Sequence, residues 1–202
     1  MRRGALSAAL GVALVLVVIL ARQLGAWRAR YDDLNRRFQA PHAGMYVPTF
    51  EAVTLAGDTV KVGSAADGGR QLLFFLTTTC PYCVQSLQGW RQLAGAAQSL
   101  NGVAVFGVSL DSLRQTRLYA ERHKLAFPVL LFPEPKLAFI YRAQRVPVTM
   151  VLDSAGRVLY SRVGLFEGHS SVDSMLAVLA SGARREVASS VDPSPLRQRR
   201  VP

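Results

Sequence analysis

The chain has 202 residues, 50% of them apolar, enough for one domain of ordinary size with appendages at its ends. It holds two cysteines, Cys80 and Cys83, which excludes a framework of structural disulfides. The net charge of +11 is concentrated at the termini (Arg2, Arg3, Arg22, Arg28, Arg30, Arg36 and Arg37; Arg184, Arg185, Arg197, Arg199 and Arg200). The middle is mildly basic, with no stripe of cations interleaved with aromatics, so the charge argues for a membrane surface and against nucleic acid.

Residues 5–21 are uncharged and almost wholly apolar, bounded by Arg2 and Arg3 on one side and Arg22 on the other. Such a run predicts a membrane or export signal. Leu24 stands where a cleavage site prefers a small side chain, so the expectation is an uncleaved single-pass anchor over 1–27, with Trp27 at the interface. Residues 28–46 follow as a charged juxtamembrane linker ending in the Pro41-His42-Ala43-Gly44 breaker. The arginines after the apolar run outnumber those before it, so charge alone would leave the remaining chain in the cytoplasm.

A globular domain is expected over 47–182. It starts with a hairpin around Gly57-Asp58 and continues with an apolar strand over 72–76 that reads as buried on both faces. Helical spacing of Val84, Leu87, Trp90 and Leu93 predicts a helix to about Gln98, with Pro81 in its first turn. A second buried strand over 103–110 leads to Asp111, read as the N-cap of a helix reaching Lys124. Strands over 129–132, 148–153 and 158–163 follow, the last two joined through Asp153-Ser154-Ala155-Gly156. Ser170 is read as capping a final helix, with Asp173 completing a capping box and Gly182 stopping it near Ala180. The basic tail, 183–202, is expected to be disordered. This order specifies an α/β fold with a central mixed sheet flanked by helices.

The dithiol falls where the first buried strand gives way to a helix. The unpaired amides and macrodipole there favour an anion, so the thiolate of Cys80 is expected well below the free value of about 8.5. One helical turn brings Cys83 beneath Cys80, so Cys80 is read as the attacking sulfur and Cys83 as the resolving one. A redox-active Cys80–Cys83 disulfide then needs no metal and no other cofactor. Zinc wants about four ligands, and His42, His123 and His169 are scattered. A copper site built from Cys80, Cys83 and His169 is the alternative metal reading.

The segment LLFFLTTTCPYC, followed by Arg145-Val146-Pro147-Val148-Thr149 and VLDSAGRVLYSRVG, resembles thioredoxin-like proteins of the TlpA type, a redoxin group usually tethered outside the bacterial cytoplasmic membrane. The resemblance spans residues 47–180, and residues 109–141 match an extra helix and strand of that group. It implies a thioredoxin-like fold and thiol:disulfide exchange with protein substrates, and it outweighs the charge count in placing the domain outside the cytoplasm. It also implies a cis bond before Pro147, with the backbone of Val146 free to pair with an incoming strand. Pro81, Tyr82, Val146 and Pro147 are therefore the expected substrate-binding residues, and Trp90 is a weaker candidate for the groove.

The chain departs from the pattern in three places, one of them the inner pair Pro81-Tyr82, which is more similar to that of glutaredoxins than to the Gly-Pro of thioredoxin. Phe74 stands where thioredoxins often bury an acid, and Ser86 where some relatives carry Glu. Without such a carboxylate, Cys83 must lose its proton to water or to substrate. Two other readings stay open: a thiol peroxidase, for which Thr77 fits but Leu73 replaces the usual proline, and a Cu(I)-binding module on the same scaffold.

Overall fold

The computed structural model describes residues 2–65, 68–132 and 134–189. The chain divides into two units, 1–40 and 41–202. The first is a single helix, α1 (Arg2–Gln39), which runs on through residues expected as a spacer. From Leu14 to Leu20 its large apolar side chains stand exposed. Among the described residues no helix is long and apolar enough to cross a membrane, and the side chains of 2–10 lie outside those described.

The second unit begins with a two-stranded hairpin, β1 (Phe50–Val53) and β2 (Thr59–Val62), antiparallel with Phe50 opposite Val62. Its main sheet has five strands: β3 (Arg70–Leu76), β4 (Val103–Ser109), β5 (Val129–Leu131), β6 (Val148–Leu152) and β7 (Val158–Val163). They lie in the order β5-β4-β3-β6-β7. β3, β4 and β5 run parallel, whereas β6 is antiparallel to β3 and β7 antiparallel to β6. This is the mixed sheet expected from the sequence.

β3 is central, and its alternation explains the unbroken apolar run. Leu72, Phe74 and Leu76 point into a core shared with α2 (Pro81–Gln98) and α5 (His169–Ser189). Leu73 and Phe75 point into a second core closed by Phe50, Tyr141 and the hairpin. Both faces are thus dry over 72–76, which is why polar residues are rare on the strand. Gln71, the buried exception, is satisfied: its Nε2 donates to the carbonyls of Lys61 and Ser64, and its Oε1 accepts from Gly63 N. Gly63 cannot be larger, because a Cβ there would meet Pro48 O at 2.6 Å and Tyr141 Oη at 2.7 Å.

Two helical boundaries differ from expectation. The N-cap of α3 (Leu113–His123) is Ser112, whose Oγ donates to Gln115 Oε1 at 2.6 Å, while Asp111 turns its carboxylate elsewhere. α5 begins at His169 and continues past Gly182 to Ser189. One glycine costs a helix only about 1 kcal/mol, and the Ala, Arg, Glu and Val that follow are compatible with helix. The rest of the expected disordered tail, 190–202, lies outside the described residues. A short helix, α4 (Pro135–Ile140), completes the fold.

Candidate active site

Cys80 is the residue on which α2 starts. It holds extended backbone angles, its Sγ accepts from Cys83 N at 3.3 Å, and Pro81 occupies the first turn, where a missing N–H costs nothing. The thiol therefore stands in for the oxygen of an ordinary cap, in the field of the helix N-terminus that favours negative charge.

The two sulfurs have opposite surroundings. Cys80 is half-buried and reachable; Cys83 is 0% exposed, inside the core with Leu87 and Phe166, and both are free thiols. Burial pushes the Cys83 thiol far up from its ordinary range, helped by its hydrogen bond with Cys80 and by the charges of Cys80 and Asp111; the backbone amide of Thr77 pulls the other way. The arrangement is an accessible sulfur above a sheltered, protonated one.

The peptide bond between Val146 and Pro147 is cis, as the resemblance implied. Cys80 Sγ lies 3.8 Å from Val146 O, so this loop faces the leading sulfur. Pro147 is buried and Val146 half-buried, whereas Pro81 and Tyr82 are exposed, Tyr82 to 57%. Four expected binding residues thus gather around Cys80 from two separate segments. Trp90 does not join them. Fully buried, it stacks on Phe74 at 5.0 Å and donates from Nε1 to Thr149 Oγ1 at 2.8 Å, so its spacing reported core packing and no groove.

Ser86, at the position of the absent glutamate, also has a structural task. Its Oγ donates to Tyr82 O at 2.8 Å and accepts from Phe166 N at 2.9 Å, fastening α2 to the loop after β7. Sequence reasoning missed Asp111, whose Oδ2 accepts from Thr78 N at 2.5 Å and from Thr78 Oγ1 at 2.7 Å. The parallel pairing of β3 with β4 was the available signal. Leu76 pairs with Ser109, so residues two steps further on, Thr78 and Asp111, leave the sheet side by side.

Among the described residues no three His, Cys, Asp or Glu side chains gather as a metal site, and the His169 side chain lies outside those described.

Residues 43–161 match the AhpC/TSA family, well over half of the chain. The chain belongs to that family. It is 28% identical over 152 residues to the thioredoxin-like protein YneN of Bacillus subtilis, covering 74% of this chain and 87% of that one. It is 27% identical over 173 residues to the methylamine utilization protein MauD of Methylophilus methylotrophus, covering 84% of this chain and 78% of the relative. Its fold is similar to that of StoA from Bacillus subtilis, with a TM-score of 0.55 at 20% identity over 65% of this chain and 96% of that structure. With the paired cysteines at the helix start, this AhpC/TSA-family redoxin is a thioredoxin-like thiol:disulfide oxidoreductase.

Proposed function

We propose that this redoxin exchanges electrons with disulfides of other proteins through Cys80 and Cys83, held at the outer face of the bacterial cytoplasmic membrane by its N-terminal helix. The observation that carries the chemistry is the half-exposed Cys80 sulfur capping α2 while Cys83 lies fully buried one turn inward. In the reducing direction Cys80 thiolate attacks one sulfur of the substrate disulfide, that bond breaks, and the other substrate sulfur leaves as a thiol. Cys83 then gives up its proton and attacks Cys80 Sγ. The second substrate sulfur departs as a thiol, two electrons have passed to the substrate, and the pair is a disulfide. The oxidising direction is the reverse. Val146 O and Pro147 beside the sulfur, with Pro81 and Tyr82 on the rim, are the surfaces for the substrate segment.

Support for the anchor is the uncharged run over 5–21 between arginines, together with the exposed side chains such as Leu14 and Leu20 on α1, at 60% and 61%. The placement outside the cytoplasm rests on the resemblance to tethered redoxins. The dithiol is its own redox group, so the reading calls for no further cofactor.

The test is a substitution pair in the full chain assayed on a protein disulfide. Cys80→Ser abolishes turnover, and Cys83→Ser accumulates a mixed disulfide with substrate. Turnover surviving Cys80→Ser refutes the reading, and rapid peroxide consumption by the wild-type chain promotes the peroxidase instead. For the anchor, the chain stays with membranes after an alkaline wash and is released once residues 2–27 are deleted; a reporter after Pro202 active only in the cytoplasm overturns the placement.

A further inference from the structure

The turn that presents Cys80 is held from outside its own element. Residues Thr77 to Thr79 join β3 to α2, and within the turn the Cys80 amide donates to Thr77 O at 3.3 Å. The shorter bonds come from Asp111, beyond β4: both go to one atom, Oδ2, from the amide and the hydroxyl of Thr78. Hydrogen bonds to an ionised acceptor are roughly twice as strong as neutral ones. Asp111 is itself braced. Its amide donates to Ser109 Oγ at 3.3 Å, Ser109 Oγ lies 2.7 Å from Thr116 Oγ1, and Thr116 Oγ1 donates to Ser112 O at 2.9 Å. A polar chain thus runs from the start of α3 to the loop two residues before the reactive sulfur.

We propose that Asp111 is a positioning residue for the exchange: it fixes the Thr77–Cys80 turn through the two hydrogen bonds that Thr78 donates to its Oδ2. This rests on the exchange reading. The ionisable groups around Cys83 are few. Cys80 belongs to α2 itself, Asp111 to the loop after β4, and Tyr119 to α3; Arg91, on α2, acts on Tyr119. The core neighbours Leu76, Leu87, Phe166 and Met175 carry no charge. Asp111 is therefore the carboxylate that opposes ionisation of Cys83, and Tyr119, whose buried hydroxyl has no hydrogen-bond partner, supplies no compensating bond.

The two roles separate because both bonds use a single oxygen. Asp111→Asn retains an acceptor for Thr78 and removes the charge; Asp111→Ala removes both; Thr78→Val removes the hydroxyl bond alone. The reduced full chain is mixed with 5,5′-dithiobis(2-nitrobenzoate), which releases one coloured thiolate as Cys80 is captured and a second as Cys83 resolves. For Asp111→Asn the first phase keeps the wild-type rate, because the acceptor for Thr78 is retained, and the second phase shifts its half-point downward. Asp111→Ala shows the same shift together with a slowed first phase, and Thr78→Val slows the first phase while its midpoint stays in place. A first phase left unchanged by Asp111→Ala, or slowed as much by Asp111→Asn as by Asp111→Ala, overturns the proposal. Absence of both phases from the wild-type chain instead overturns the exchange reading beneath it.

Discussion

Ser86 and Phe166 are joined by a hydrogen bond from the Phe166 amide to Ser86 Oγ at 2.9 Å, inside the core and only three residues from Cys83. A second contact reinforces it, because a Cβ on Gly89 would lie 2.8 Å from Phe166 O and 2.9 Å from its ring. The active-site helix is thus seated on the loop after β7 by one bond and one missing methyl group.

Ser86→Ala leaves a buried amide without a partner and is expected to cost about 1–3 kcal/mol. Gly89→Ala gains helix propensity but drives a methyl into backbone, for a net loss of about 1–3 kcal/mol. Urea denaturation of the reduced full chain reads both. Stabilisation by Gly89→Ala would show that the seat yields more readily than this packing allows.

Tyr141 makes a comparable tie on the opposite face. Its hydroxyl donates to Pro48 O at 2.7 Å, and its ring meets Phe50, Phe75 and Phe132. Tyr141→Phe keeps the rings and orphans the carbonyl, with an expected loss of about 1 kcal/mol in the same denaturation measurement. A loss beyond about 3 kcal/mol would mean that the aromatic packing itself had been disturbed.

Alkaline pH should weaken the reduced protein. Burial raises the thiol of Cys83 and the phenols of Tyr119 and Tyr141, so each keeps its proton more tightly folded than unfolded. Their contribution is fully present below the unfolded values, about 8.5 for the thiol and about 10 for the phenols, and is lost as pH rises beyond them. Denaturation midpoints between pH 7 and 10.5 should fall, first through Cys83, and Cys83→Ala should flatten the part below 10. A level profile across that range would contradict the buried, protonated thiol.

Much of this was legible in the sequence because the signals were local. Residues 72–76 read as a strand dry on both faces, the cysteine spacing matched one helical turn, and the family resemblance carried by Val146-Pro147 and the dithiol implied the cis bond. What stayed hidden depended on register between distant segments. Asp111 followed by a helix looks like a cap, and only the alignment of β3 with β4 reveals that Thr78 claims its carboxylate. Trp90 was ambiguous for the same reason: helical spacing shows that a side chain shares the inward stripe, while the stack on Phe74 and the bond to Thr149 belong to the sheet beneath it.

That stack has a chemical consequence. Phe74 and Trp90 place two large rings in contact in the core that holds Cys83, and neither ring takes up a proton. The stack packs the core around Cys83 without taking its proton, so it shelters the resolving sulfur and gives no help in ionising it.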